Sequence, residues 1–572
     1  EEFAGFLTRI DPATGAVRRF WLGSSPRGLA AVGGRVWVAA GAFADPKHSG
    51  GTLTVAAAPT QFPGYEALDP AKAYNFEAIS AERLVYDGLL AFRLASDADS
   101  QVLVPDLALA IPQPSNGGRT YTFTLRPGIK YSTGRDVHAF DFVLGVRRAL
   151  TLKGGRPDFF AGIVGGQNCV DHPDACDLSR GVVTDDATRR VSFHLSAPDP
   201  EFTYKLTWFV HPTPPGTSLK EVTTQLPGTG PYMITDYAKG KSFSLVRNHW
   251  FHQWSFAAQP GGYPDVIRWL AVADTRAALA AVISGRADIA QPDPSSLQPA
   301  AALVSEFKVR YPGQVYRYST AGTVFEYLNV TVPPFNNLKA RQAVNYAVDR
   351  KKLVELLGGP TQAEATCQLL PPKFPGYSPY CPYTTGPADG LYHGPDFAKA
   401  RKLVDESGTK GLPVTIHSPL FEVIPAINAY FKQVLGQLGY KVTLHQMPDT
   451  DPTWEFLDNP HNHVQVQTRG WGADFPLASN FYDAVVACRG GSNLSEYCNR
   501  GLDQRAATAT TLMATDPGAA LRAWTQIDRT ITDQALVVPM FNRIASTFVS
   551  ARVRNYQSNQ ALGPLLSQLW VH

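Results

Sequence analysis

The sequence predicts an α/β fold divided into several lobes, preceded by a short antiparallel all-β segment. Three observations carry this. The chain has 572 residues, more than one hydrophobic core supports, so several lobes are expected. Leu412 to His417 reads as a strand, Ile424 to Leu438 as a helix and Lys441 to Gln446 as a strand, a β-α-β unit with parallel pairing and a right-handed crossover. Residues 1–46 consist of short alternating runs between tight turns, and a polar Gly/Pro-containing stretch from Ala44 to Gly51 separates them from the rest.

Within that first segment, Phe6 to Ile10 leads through the turn Asp11 to Gly15 into Ala16 to Leu22, and Gly28 to Val32 turns at Gly33-Gly34 into Arg35 to Ala39. Four strands in one antiparallel sheet are expected. After the linker, Thr52 to Ala56 starts a new strand, Leu68-Asp69-Pro70 and Tyr74-Asn75-Phe76 follow in a loop, and Ala81 to Leu90 reads as a helix stopped near Gly88. Tyr121 to Leu125 alternates as a strand, Val137 to Leu150 is amphipathic, and Val191, Phe193 and Leu195 mark a further strand. Val266 to Val272 is a strand, and Thr275 to Ser284 an Ala-rich helix ended by Gly285. Ala340, Ala343, Val344, Ala347 and Val348 form one helix stripe over Leu338 to Leu353. Ile427, Tyr430, Phe431, Val434, Leu435 and Leu438 do the same for the helix of the β-α-β unit.

Composition excludes some classes of function. Hydrophobic residues make up 44%, charged 18% and aromatic 11%, with a net charge of +3 and no basic blocks; nucleic acid and anionic membranes are not expected partners. No run approaches the roughly 18 apolar residues of a membrane span. The sequence begins with Glu1 and carries no signal peptide, which suggests a removed export signal or a piece of a longer protein. Six cysteines fall into local pairs, Cys169 with Cys176, Cys367 with Cys381 and Cys488 with Cys498. Six cysteines allow 15 connectivities; neighbour pairing and an oxidising compartment are expected.

The stretch from Val464 to Phe481 holds the densest functional signal. Val464 and Val466 alternate with Gln465 and Gln467, and the strand runs into Arg469-Gly470-Trp471-Gly472-Ala473-Asp474. The glycines allow close backbone approach, Trp471 offers an apolar wall, Asp474 a carboxylate and Arg469 a cation. Together they could clamp a small zwitterion. The residues fit a core Trp with a surface Asp at a strand exit equally well. Catalytic signatures are absent: there is no G-x-S-x-G, no H-E-x-x-H and no Rossmann fingerprint, and Gly240-Lys241-Ser242 lacks the upstream glycine of a P-loop. His461 and His463 flank Asn462 in a polar loop; on a strand they would share a face and could take a metal, but with no acid or Cys spaced with them a solvated loop is favoured, and His249 and His252 around Trp250 read as structural. No metal and no cofactor are expected.

Several segments in order resemble one family: Leu68-Asp69-Pro70, Val85 to Leu89, Tyr121 to Arg126, GIKYSTGRDVHAFDFV, GTGPYMI, LNVTVPPFNNLKARQAVNYAVDRKKLV and GWGADF. Over about residues 50–572 the chain is similar to the family 5 extracellular solute-binding proteins, the peptide-, dipeptide- and nickel-type receptors of ABC importers. The resemblance implies a two-lobed periplasmic-binding-protein fold of class II with an extra lobe, joined by a hinge and closing on its ligand. It places lobe I at 50–89, 213–320 and 541–572, the extra lobe at 90–212 and lobe II at 321–540. Asp474 matches the aspartate that holds a peptide's amino group, and Gly470, Trp471 and Gly472 match the strand that pairs with the ligand backbone. Phe76, beside Asn75, falls in the loop facing that strand, and Arg469 lies one position from the family's arginine. The implied function is peptide capture and delivery to ABC permease subunits, by a non-enzymatic monomer outside the cell or in the periplasm, reaching the membrane only through an anchor outside this chain. Residues 1–46 depart from the family: IDPATGAV and GGRVWVAA resemble a repeat of the YVTN-type β-propeller family, so the last blade of a propeller is expected. A fusion of that kind makes a ligand-sensing regulatory module the alternative; a hydrolase is disfavoured by the missing motifs.

Overall fold

The computed structural model describes residues 6–10, 17–21, 26–32, 35–40, 48–59, 62–152, 155–290, 299–459 and 461–571. In the N-terminal segment, β1 (Phe6–Ile10) pairs antiparallel with β2 (Val17–Trp21), and β3 (Pro26–Val32) with β4 (Arg35–Ala40). Four strands are present as expected, but as two hairpins; among the described residues no ladder joins them into one sheet. Each pair is closed by its own short connection, which codes a hairpin locally, whereas joining hairpins requires contacts that no local signal supplies. The expected turns Asp11 to Gly15 and Gly33-Gly34 lie outside the described residues.

The chain forms two compact units. The first comprises Glu1–Ala273, Ala281–Ala290 and Val549–His572, the second Asp274–Ala280 and Gln291–Phe548. The sheet of the first unit contains β5 (Thr52–Ala57), β9 (Tyr232–Ala238), β10 (Ser242–Arg247), β11 (Val266–Ala271) and β12 (Ile289–Ala290), in the order β9-β10-β11-β5-β12. The β11–β5 and β5–β12 pairs are parallel and the others antiparallel. Alternation in β10 sends Phe243 and Leu245 into a core with Leu53, Val55, Ile267 and Trp269. The helix over Thr275–Ile283 between β11 and β12 ends before Gly285, whose φ of +73° suits glycine.

Helix α1 runs over Phe76–Glu82 rather than over Ala81 to Leu90. Asn75 Oδ1 accepts from Ala78 N and fixes the start, and Arg83 caps the end. Downstream, Gly88 lies so close to the backbone that an added Cβ would meet Leu90 O at 3.2 Å. A second, antiparallel sheet in this unit has β6 (Thr120–Thr124), β7 (Val182–Asp185) and β8 (Arg190–His194) in the order β6-β8-β7. Helix α2 covers Asp141–Thr151. It starts later than the apolar pattern suggests, because Val137 N donates to Ile129 O and Lys130 bridges Asp136, holding that segment extended. Arg148 of α2 and Asp69 are both 1% exposed and meet at 2.5 Å. Asp69 also accepts from Ala71 N and Val222 N, and Arg148 donates to Lys220 O, so one buried ion pair ties three segments.

The second unit is built on β13 (Val315–Ser319), β14 (Gly322–Leu328), β15 (Ala363–Ala365), β16 (Pro413–Pro419), β17 (Lys441–Met447), β18 (Val466–Gly472) and β19 (Val537–Val549). Strand order is β19-β14-β18-β16-β17, with β13 and β15 also on β19. The β-α-β unit is present: β16 and β17 are parallel, with helix α6 (Ile424–Gln437) between them in sequence. The helix expected over Leu338 to Leu353 is two helices, α3 (Leu338–Ala347) and α4 (Arg350–Leu356). Val348 is extended, and the Asp349 carboxylate accepts from Lys351 N and Lys352 N, which starts a new helix at that point. α5 (Phe397–Ser407) packs on α3; α7 (Asp451–Leu457), α8 (Ala478–Val485), α9 (Arg500–Leu512) and α10 (Pro517–Asp533) complete the helices used below.

The two faces of the sheet bury different cores. Leu328, Ile416, Val466, Ile427 and Phe431 lie in one, and Phe325, Tyr327, Phe481 and Trp524 in the other. The disulfides are Cys169–Cys176, Cys367–Cys381 and Cys488–Cys498. Among the described residues no helix is long and apolar enough to cross a membrane.

Candidate functional site

Strand β18 extends further than the sequence pattern suggests. Arg469, Gly470, Trp471 and Gly472 are its last four residues, not an exit loop. The ladder with β14 holds them there: Gly322 faces Gly472, Thr323 faces Trp471, Val324 faces Gly470 and Phe325 faces Arg469. On the opposite edge, β16 pairs only with Val466 and Gln467. From Thr468 to Gly472 that edge has no strand partner among the described residues. Ala473 N donates to Ala321 O, toward β14. Successive residues of an antiparallel strand point their N–H and C=O groups to alternate sides, so Gly470 and Gly472 direct theirs to the unpaired edge.

Neither glycine is required by the packing of the protein. A Cβ on Gly472 would meet nothing within 4 Å, and one on Gly470 only ordinary contacts from 3.4 Å. The missing side chains therefore leave room along the open edge. Gly472→Val is expected to leave the unfolding free energy within about 0.5 kcal/mol of wild type, while a ligand pairing along that edge loses at least tenfold in affinity by calorimetry. Unchanged affinity would show that nothing pairs there.

Beyond the strand, Asn480 on α8 organises the turn. Its Oδ1 accepts from Trp471 Nε1 at 3.0 Å and from Asp474 N at 3.1 Å, and its Nδ2 donates to Asp474 Oδ2 at 2.9 Å. One buried amide thus orients both the half-buried indole and the half-buried carboxylate. Arg469 lies over Trp454 of α7 at 4.9 Å and pairs with Asp458 at 3.0 Å, while its Nη1 donates to Thr468 O. The cation that the sequence offers to a ligand carboxylate is therefore already paired with Asp458. Burial lowers the Arg469 pKa, and Asp458 opposes that shift.

Arg469, Gly470, Trp471 and Gly472 of β18, with Trp454 of α7, border a cavity of about 400 Å³. Its apolar wall includes Val324, Phe421, Ile424, Ile427 and Trp454, with Phe421 edge-on to Trp454 at 5.6 Å. Arg543 and Glu422, paired at 3.0 Å, add a charged rim. Beneath it, the Thr468 hydroxyl is 2.7 Å from Glu326 Oε2 and 2.9 Å from Asn428 Oδ1. A hydroxyl has one proton to give; a protonated Glu326 donating to Thr468, which donates to Asn428, satisfies both contacts. Glu326 is fully buried, and burial pushes its pKa from 4.5 up to about 8 against the opposing effects of Thr468 and Arg469.

Because this folded-state pKa lies above the unfolded one, the folded chain holds the proton more tightly. Stability from this group is complete below about 4.5 and is lost as pH rises toward about 8. Glu326→Gln is expected to abolish that loss and be more stable than wild type at pH 9 by on the order of 2 kcal/mol. Urea melts at pH 5 and pH 9 check this; an equal pH slope in the variant would place the effect elsewhere.

The structure brings Arg469, Gly470, Trp471, Gly472 and Asp474 together in the second unit. Asn75 and Phe76 belong to the first, at the start of α1. Asn75 uses its side-chain oxygen as the helix cap, and the Phe76 side chain lies outside the described residues. Sequence reasoning missed Asn480, Trp454, Phe421, Arg543 and the Glu326–Thr468–Asn428 cluster. Asn480 lay within reach, six residues after Asp474; the others are scattered over more than two hundred positions and meet only on folding.

Comparison with known proteins identifies the family. Residues 102–493 match the model described as bacterial extracellular solute-binding proteins, family 5 Middle. The glutathione-binding protein GsiB of Salmonella paratyphi A is 25% identical over 521 residues, 86% of this chain and 89% of that one. GsiB of Escherichia coli O1:K1 / APEC shows the same identity and coverage. Among solved structures, the clavulanic acid biosynthesis oligopeptide binding protein 2 superposes with a TM-score of 0.79 at 22% identity, covering 92% of this chain and 96% of that one. Haemophilus influenzae OppA in complex with RPPGFSPFR gives 0.66 at 20%, covering 91% and 98%. The fold is thus the two-lobed α/β fold of the peptide-binding proteins, and the chain belongs to family 5 of the bacterial extracellular solute-binding proteins.

Proposed function

We propose that this chain is an extracellular or periplasmic receptor that captures a peptide and delivers it to the permease of an ABC importer. The observation that carries this reading is the unpaired edge of β18, where Gly470 and Gly472 offer backbone donors and acceptors to an extended chain. Asp474, oriented by Asn480, would receive the peptide's ammonium group, and Trp471 would flank its first residue. The cavity beside the strand would take a side chain. Three disulfides suit an oxidising compartment. The relatives that bind glutathione and oligopeptides favour a peptide ligand. Native mass spectrometry of the purified protein should show a retained peptide, and calorimetry with short free-amine peptides should show saturable binding. Failure of every peptide tested, with a non-peptide solute retained, would overturn the reading.

We also propose that residues 1–46 are the last blade of a YVTN-type β-propeller. The two hairpins and the polar linker favour this, and they support a fused sensing module as the second reading. Deleting residues 1–48 is expected to leave peptide affinity unchanged by calorimetry; a large loss would make the segment part of the binding site.

A further inference from the structure

On the outer edge of the second unit's sheet, His417 of β16 and His445 of β17 are direct register partners in the parallel ladder. Their ring centroids are 5.1 Å apart with planes inclined at 53°. Nδ1 of His417 is buried and makes no hydrogen bond, and His445 is exposed. Phe456 of α7 stands over His417 at 5.9 Å, closing one side of the pair. Among the described residues neither imidazole is tied to a carboxylate or a backbone carbonyl. Two imidazoles on adjacent strands are held in place by the ladder, so little ordering is left to do when an ion arrives.

We propose that His417 and His445 form a surface site for a late first-row divalent transition-metal ion. Imidazole is the ligand that copper, nickel and zinc favour, and it binds in its neutral form. No group of three or more His, Cys, Asp or Glu able to hold an ion occurs among the described residues. The site therefore supplies two protein ligands, and water completes the coordination. The carboxylates of a hard-cation site are absent from the pair, which directs it away from calcium and magnesium. The role is separate from peptide capture: the pair lies on β16 and β17, whereas the open edge belongs to β18.

The test uses the full chain without an affinity tag and the chloride salts of Cu2+, Ni2+ and Zn2+. Calorimetry is expected to give one equivalent of Cu2+, bound more tightly than Ni2+ or Zn2+ in the order imidazole sites follow. His445→Gln, an exposed change expected to fold normally, should weaken Cu2+ binding at least about tenfold, since loss of a ligand costs no less than loss of a group that orients one. In EDTA the variant should melt with wild type, and Cu2+ should raise the melting temperature of wild type alone. Equal Cu2+ affinity in His445→Gln, or no saturable binding by wild type, would overturn the proposal.

Discussion

Asp474→Asn is expected to weaken binding of a free-amine peptide by about 2–5 kcal/mol, the cost of leaving one partner of a buried charge pair unmatched. The substitution keeps the shape of the side chain, and Asn480 remains to orient it, so the fold should be intact. An N-acetylated peptide should bind wild type poorly too, and the two losses should not add, because both remove one contact. Trp471→Ala should weaken free and acetylated peptides alike. Calorimetry of wild type and both variants with each of the two peptides decides the matter. Equal affinity of Asp474→Asn and wild type for a free-amine peptide would remove the ammonium contact from the proposal while leaving the open strand edge untouched.

Arg148→Ala is expected to destabilise the first unit by about 3–5 kcal/mol, because it leaves Asp69 charged and uncompensated in a site 1% exposed to solvent. The effect should be much larger than the loss of the hydrogen bonds alone. Replacing both partners, Arg148→Met with Asp69→Leu, should recover most of it, since no charge then remains to be solvated. Guanidinium melts of wild type and the two variants measure this. A double variant as unstable as Arg148→Ala would mean that the bonds to Ala71, Val222 and Lys220, rather than the charges, hold the three segments.

What could be read from the sequence was local. The β-α-β unit announced itself because its strands alternate with period two and its helix with period 3.6 over contiguous residues. The cysteine pairs were legible because each closes a loop of 7 to 14 positions. Gly470, Trp471, Gly472 and Asp474 could be picked out because they sit within five residues. Errors came where a single polar side chain overrides a periodic pattern: Asp349 splits one apolar stripe into two helices, and Asn75 starts a helix earlier than its apolar residues indicate. The extent of β18 was hidden because two glycines look like a loop until a partner strand is present. The Glu326–Thr468–Asn428 cluster had no signal at all, since a lone Glu in an apolar run has no visible partner until β14, β18 and α6 are packed together.

In the proposed function, the unpaired edge of β18 would read a ligand by its main chain. Amide N–H and carbonyl groups recur identically in every peptide, whatever the side chains, so this contact discriminates polymer chemistry rather than sequence. An ester in place of the amide facing Gly470 or Gly472 removes a donor, as does proline or an N-methylated residue, and D-residues reverse the side chains relative to the cavity wall. Such a receptor treats depsipeptides and heavily N-methylated cyclic products as strangers while accepting a broad mixture of ordinary peptide fragments, and a protein family can retune its diet by recutting the cavity alone.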